Sequence, residues 1–129
     1  MKRISIFTIP HKRQEYNTIG NYRMTPKTFQ IMVSKMGNDE YEFLVALHEM
    51  IEQHLCYVNN IFDAEITKFD KAFEAKRKKG NTDEPGNDPK APYYKQHQFA
   101  TKLEKLMCKE LGIKWSVYDK FVNSIWQRS

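Results

Sequence analysis

Cysteine is among the rarest residues of this sequence, and its scarcity excludes a whole class of proteins. The chain of 129 residues contains only Cys56 and Cys108, so a small fold held together by several disulfides is excluded. Both lie in apolar patterns of helical spacing, which favours two reduced thiols in the core over one disulfide. The cysteine content therefore predicts a cytoplasmic protein.

Long apolar runs are also missing. No stretch approaches the roughly 20 apolar residues that a membrane-spanning helix needs, so we expect no membrane segment. The first seven residues are basic and then apolar, as in a signal peptide. However, Pro10-His11-Lys12-Arg13 interrupts them without a small-residue cleavage site, so we predict that the chain is not exported.

Several catalytic motifs are absent as well. There is no glycine-rich phosphate loop and no G-x-S-x-G, which excludes phosphate-loop NTPases and the serine hydrolases built on that turn. Adjacent His-Asp residues and E-x-x-H pairs are missing, which excludes HD-type phosphohydrolases and ferritin-like di-iron bundles. The E-x-x-E at Glu49 and Glu52 lacks the partner E-x-x-D of helical nucleotide pyrophosphatases.

The composition that is present suits one folded domain. Hydrophobic residues make up 40% of the chain and aromatic residues 13%, which is enough for a core. The net charge of +5 permits contact with nucleic acid without requiring it. Part of the basic excess lies in Lys76-Arg77-Lys78-Lys79, which we interpret as solvated surface.

Hydrophobic periodicity predicts an α+β, mostly helical domain that spans residues 1–129. Alternating residues at 3–9, 21–24 and 28–34 predict a small antiparallel sheet, with Phe29, Ile31 and Val33 on one face. Residues 80–92 are rich in glycine, proline and asparagine and predict a long loop. Helical spacing then predicts four helices at about 40–58, capped by Asn38 or Asp39, 63–78, capped by Asp63, 93–111 and 116–127.

The first predicted helix carries the motif H-E-x-x-E. His48 and Glu52 lie one turn apart and about 40° apart around the helix axis. Apolar residues border this pair on both sides, so it points toward the core. A buried carboxylate is costly unless it is paired, so Glu52 needs a metal, a cation or a shared proton.

The third predicted helix has a similar polar strip. His97, Thr101, Glu104 and Cys108 fall within roughly 60° of one another around the axis. If the two helices face each other, His48, Glu52 and His97 supply the three ligands of a catalytic zinc site. Glu49 then stands where H-E-x-x-H peptidases carry their general base.

Other readings of these residues stay open. Glu104 is a fourth ligand, or it orients a ligand histidine through a hydrogen bond. Cys56 and Cys108 are further ligands or buried thiols. Without a metal, His48 and Glu52 pair across one turn, and His97 faces solvent or a backbone carbonyl.

The arrangement of these segments resembles a family of small bacteriophage and prophage proteins. The resemblance rests on the H-E-x-x-E helix, the stretch E-P-G-x-D-P-x-A-P-Y-x-x-x-H from Glu84 to His97, and the segment from Gln14 to Tyr22. It covers nearly the whole chain and implies a viral or prophage setting, but no reaction.

A looser similarity is to zincin metallopeptidases, in which an edge strand precedes the active-site helix as 28–34 precedes 40–58 here. It implies that His48, Glu52 and His97 bind zinc and that Glu49 is the base, although Glu52 departs from the zincin histidine. The leading hypothesis is a metal-dependent hydrolase that uses zinc or another divalent transition metal, with a peptidase as one candidate activity. The alternative is a non-enzymatic phage accessory protein that binds a host protein or nucleic acid, with a structural metal or ion-pair site.

Overall fold

The computed structural model describes residues 2–127 as a sheet followed by four helices, so the prediction of a mostly helical α+β fold is confirmed. The strands are β1 (Arg3–Ile9), β2 (Gly20–Met24) and β3 (Thr28–Ser34). The helices are α1 (Asp39–Val58), α2 (Asp63–Ala75), α3 (Tyr94–Glu110) and α4 (Trp115–Gln127). Single 3-10 turns lie at His11–Arg13 and Pro85–Asn87. Among residues 2–127, no helix combines the length and the apolar character that a membrane crossing requires.

The sheet has the strand order β1-β3-β2. The predicted antiparallel pairing is confirmed for β2 with β3, but it is wrong for β1, which runs parallel to β3. The reason lies in the connection at residues 10–19. It crosses the carboxyl end of β3, where Ile9 pairs with Ser34 and Gly20 pairs with Val33. The chain therefore enters β2 in the opposite direction on the far side of β3.

β3 is the central strand, with alternating burial. Phe29, Ile31 and Val33 are 5%, 0% and 0% exposed, which confirms the predicted apolar face. The zincin comparison expected an edge strand at 28–34, and this expectation is wrong, because the sheet edges are β1 and β2. β2 is the edge strand beside α1, and its Gly20 lies so close to that helix that a Cβ there would approach Glu49 and Val45 to within 2.8 Å.

The helix boundaries follow local hydrogen bonds. Asn38 caps α1 as predicted, its side chain accepting a bond from the Tyr41 N–H at 3.0 Å. Asp63 does not cap α2. The N-cap position is Phe62, and the Asp63 carboxylate instead accepts a bond from the Met24 N–H at 2.7 Å, which ties α2 to β2.

The predicted bounds of the other helices differ from the structure by one to three residues. α2 ends at Ala75 rather than at 78, because Arg77 leaves the helix to bind the Glu74 carboxylate and the backbone carbonyls of Asn81 and Asp83. α3 begins and ends one residue inside its predicted range, and α4 begins one residue earlier than predicted. Arg77 therefore fastens the 80–92 loop, which continues into α3.

Candidate metal centre

Helices α1 and α3 pack side by side and bring three predicted ligands together. His48 Nε2 lies 3.0 Å from Glu52 Oε2 and 3.1 Å from His97 Nδ1. His97 Nδ1 lies 2.9 Å from the same Glu52 oxygen. His48, Glu52 and His97 are 7%, 4% and 6% exposed. His97 thus faces neither solvent nor a backbone carbonyl. It instead contacts His48 and Glu52 of α1, although 45 positions separate it from Glu52 in sequence.

The spacing of these atoms fits a small transition-metal ion. Tetrahedral zinc bonded at about 2.0–2.1 Å separates its ligand atoms by about 3.3 Å. The three atoms here are 2.9 to 3.1 Å apart, so small outward rotations of the side chains are enough to seat an ion. The imidazole rings of His48 and His97 have centroids only 4.7 Å apart, which allows both to bind one ion.

The outer nitrogen of His48 is held by Glu104. His48 Nδ1 lies 2.8 Å from Glu104 Oε1, and Glu104 Oε2 accepts a hydrogen bond of 2.5 Å from the Tyr118 hydroxyl on α4. Glu104 therefore lies on the ring nitrogen that does not face the ligand atoms. A carboxylate in this position fixes the tautomer of a metal-binding histidine and raises its basicity.

The outer nitrogen of His97 is held in the same manner by the 80–92 loop. His97 Nε2 lies 3.0 Å from Glu84 Oε2. Gly86, in the turn that follows, lies so close to the imidazole that a Cβ there would approach His97 Cγ to 2.4 Å. The loop thus contacts the His97 imidazole in two places, through Glu84 at Nε2 and through Gly86 along the ring.

Glu52 is held on its second oxygen. The hydroxyl of Tyr22 on β2 donates a hydrogen bond of 2.8 Å to Glu52 Oε1 and leaves Oε2 toward the histidines. All three candidate ligands therefore have a partner that orients them, and these partners come from β2, α3 and the 80–92 loop.

Of these partners, sequence reasoning found Glu104, whose orienting role was one of its two predicted roles, but it missed Tyr22, Tyr118 and Glu84. Glu84 opens the E-P-G-x-D-P stretch that carries the family resemblance, but nothing in its spacing ties it to His97. Tyr22 and Tyr118 lie in β2 and α4, and their patterns predict only burial. Their roles depend on the tertiary packing of elements far apart in sequence.

Burial and pairing shift the pKa values of the site in opposite directions. Burial raises the pKa of Glu52, but the hydrogen bonds from His48 and His97 outweigh it and lower this pKa to about 2. Burial disfavours the charged imidazole of His97, yet Glu52 and Glu84 raise its pKa to about 9. The pKa of His48 is likewise raised, against the effect of burial, by Glu104 and Glu52. Without an ion, His48 and His97 therefore tend to be protonated, and Glu52 tends to be an ionised carboxylate between them.

Glu49, the predicted general base, differs from these residues in its contacts. Among residues 2–127, no group donates a hydrogen bond to its carboxylate or forms an ion pair with it, and it packs against Gly20 of β2. Burial and the nearby Glu52 raise the pKa of Glu49 to about 8. It lines the same cavity of about 400 Å³ as His48, Glu52 and His97. A carboxyl group whose pKa is raised toward neutrality, beside the candidate ligands, is suited to take up and release a proton.

The two cysteines are buried free thiols outside the group of three. Cys56 Sγ lies 3.6 Å from the Tyr22 hydroxyl, and burial raises the pKa of its thiol to about 12. Thr101, the remaining polar residue of the predicted strip on α3, lines the cavity with a buried hydroxyl that has no partner within residues 2–127. The structure therefore brings together the histidines and glutamates of the prediction and leaves both thiols aside.

Comparison with known protein families, with curated proteins and with solved structures gave no match. The geometry of the site therefore carries the functional argument that follows.

Proposed function

We propose that this protein is a zinc-dependent hydrolase of peptides, in which His48, Glu52 and His97 hold the ion and Glu49 is the general base. The observation that carries the proposal is the buried His-Glu-His group, whose ligand atoms all lie within 4.8 Å of one another. Three protein ligands with one open position are the usual arrangement of a catalytic zinc. Each ligand also has an orienting partner, as such ligands require.

The side chains of the site suggest a separate role for the ion, for Glu49 and for the residues that orient the ligands. An ion held by His48, Glu52 and His97 would supply the acidity that makes a water reactive near neutral pH and would polarise a substrate carbonyl. Glu49 holds the proton that the water loses, because its carboxylate is unengaged and lines the cavity. Tyr22, Glu84 and Glu104 keep the ligands in place. Burial of His48, Glu52 and His97 limits water around the cluster, which strengthens these charge interactions.

The proposal includes a cytoplasmic setting, within a bacterial host if the chain is encoded by a phage. This setting rests on the resemblance to small phage and prophage proteins. The zincin likeness supports the roles of His48, Glu49 and His97. Glu52 supports the same chemistry with a carboxylate in place of the usual histidine, since zinc binds either.

The proposal is tested by digesting a defined peptide mixture with the zinc-loaded protein and identifying products by mass spectrometry. We expect cleavage that a chelator abolishes and added zinc restores. His48→Ala and His97→Ala should each abolish it, whereas His54→Ala, an exposed histidine on the same helix, should not. Cleavage that persists in His48→Ala and His97→Ala would contradict the proposal.

A second candidate function is a non-enzymatic accessory protein that binds a host protein or nucleic acid. The observation in its favour is that the ligands come from two helices, so an ion would fasten α1 to α3. Removal of the metal separates the two candidates. A structural site unfolds on chelation, whereas a catalytic site loses activity and keeps its helical circular dichroism.

A further inference from the structure

The walls of the cavity beside the metal centre are acidic, although the chain as a whole carries a net charge of +5. Glu52, Glu84 and Glu104 are engaged by the two histidines. Beyond them, the cavity is lined by four more carboxylates: Glu49, Asp70, Asp83 and Asp119. Within residues 2–127, Lys105 is the one lysine or arginine on these walls. A bound divalent ion leaves the acidic groups in excess.

Two of these carboxylates interact with a cation of the chain only at longer range, Asp83 with Arg77 and Asp119 with Lys105. Asp83 lies in the 80–92 loop and Asp119 on α4, so they approach the cavity from different elements. Within residues 2–127, no side chain forms an ion pair or a hydrogen bond with either carboxylate. Such groups repel a phosphate or another anion and attract a cation.

Aromatic rings line the same space. Trp115 and Trp126 are the two tryptophans of the chain, and both face the cavity, as do Tyr16 and Tyr118. Ring faces attract ammonium and guanidinium groups, as Lys105 illustrates at 5.1 Å above the ring of Trp115. Carboxylates and aromatic rings together therefore form a surface suited to a lysine or arginine side chain.

Two residues that line the cavity carry a buried polar atom without a partner in the described part of the chain. Trp126 is 9% exposed, and its indole N–H has no acceptor within residues 2–127. The buried Thr101 hydroxyl on the cavity wall is also without a partner there. Unsatisfied buried polar groups are costly, and the carbonyl of a peptide is an acceptor that satisfies a donor of this kind.

We propose that the cavity binds peptides through a lysine or arginine side chain, which Asp83, Asp119 and the aromatic rings receive beside the metal centre. This inference rests on the proposed function and adds the class of substrate to it. The peptide backbone then lies toward the metal centre. Anionic substrates such as phosphoesters are excluded from the same space by the acidic walls.

The inference is tested by following tryptophan fluorescence, which reports on the cavity because both tryptophans line it. The probes are the N-acetyl amides of arginine, leucine and glutamate, titrated into the protein with and without zinc. We expect the arginine amide to bind at least about tenfold more tightly than the glutamate amide, with a preference that weakens as salt is added.

Matched variants show which carboxylates cause the preference for arginine. The double variant Asp83→Asn/Asp119→Asn should lose most of the preference for arginine. Asp39→Asn removes a carboxylate outside the cavity, at the start of α1, and should leave the preference unchanged. Circular dichroism of each variant controls for folding.

The outcomes separate this inference from the proposed function. Equal binding of the arginine and glutamate amides, or no response to any probe, overturns the inference even if zinc binds. A preference that survives in Asp83→Asn/Asp119→Asn also overturns it. A preference for arginine in a protein that takes up no zinc supports the inference and removes the proposed hydrolase.

Discussion

Glu49 and Glu52 lie three positions apart on α1, and their surroundings separate their chemistry. Glu52 accepts hydrogen bonds from two histidines and from Tyr22, and the histidines hold its pKa near 2 despite burial. Glu49 accepts none within residues 2–127, and burial raises its pKa to about 8. The lowered pKa suits Glu52 to bind a cation as a carboxylate, and the raised pKa suits Glu49 to transfer a proton near neutral pH.

The variant Glu49→Gln tests this division. The amide keeps the size of the side chain but accepts no proton, so hydrolysis should fall at least about a hundredfold while zinc content stays unchanged. The melting temperature should move little, because the change is nearly isosteric and breaks no hydrogen bond. Kinetics and elemental analysis of the same preparation check both points, with the exposed Glu40→Gln as control. Undiminished hydrolysis would remove the role of base, and lost zinc would make Glu49 a ligand.

Glu84 and Glu104 act through the histidines that they orient. Glu84→Gln and Glu104→Gln should each weaken zinc binding by about 10- to 100-fold, as expected when an orienting carboxylate is lost. Glu110→Gln changes an exposed glutamate at the end of α3 and is the matched control. Competition against a chromogenic chelator measures the affinity. Equal affinity in all three variants would show that the carboxylates do not tune the site.

At the scale of elements, the sequence predicted those that have strong periodicity. Helix α1 was located within one residue, and its H-E-x-x-E placed His48 and Glu52 on the inner face. The strip on α3 identified His97 and Glu104 because a helix fixes which residues share a face. That α1 packs against α3 was only assumed, because each helix carries a histidine and a glutamate on one face.

The features that were missed depend on contacts without a local pattern. Glu84 lies in a loop, where no periodicity shows where a side chain points. The parallel pairing of β1 depends on the path of residues 10–19 across β3, and strand patterns do not record direction. Asp63 was taken for a helix cap, but its carboxylate instead binds the backbone of Met24 in the neighbouring strand.

The 80–92 loop is predicted to set the position of His97 through Gly86. In Gly86→Ala the new methyl group would meet the imidazole, so the turn or the ring must move, and zinc affinity should fall by about tenfold or more. Lys90→Ala, an exposed change in the same loop, should leave affinity unchanged. Zinc titration of both variants measures the effect. Wild-type affinity in Gly86→Ala would show that the loop does not position the ring.

At the scale of the whole molecule, Asp70 joins three distant segments. Its carboxylate on α2 accepts hydrogen bonds from Tyr16 in the 10–19 connection and from Tyr93 just before α3. Asp70 is 7% exposed, and burial raises its pKa from 3.8 to about 6 against the effect of the two tyrosines. The folded state therefore binds a proton at Asp70 more tightly than the unfolded chain does.

This shift predicts the direction of a pH dependence. The contribution of Asp70 to stability is complete below about pH 4 and is lost as the pH rises through 6, a change of at most about 3 kcal/mol. The free energy of unfolding of the wild type, relative to Asp70→Asn, should therefore fall between pH 4 and 7. Denaturant unfolding of both proteins at several pH values measures this difference. A difference that does not vary with pH would contradict the shift.

In the proposed site one metal ion joins α1 to α3 through His48, Glu52 and His97, and elemental analysis measures this ion directly. The protein is purified without a histidine tag, equilibrated with zinc and freed of excess by gel filtration. We predict about one zinc per chain in the wild type and in His54→Ala, and close to none in His48→Ala and His97→Ala. A wild-type protein that holds no metal and takes up none from added zinc would contradict the account.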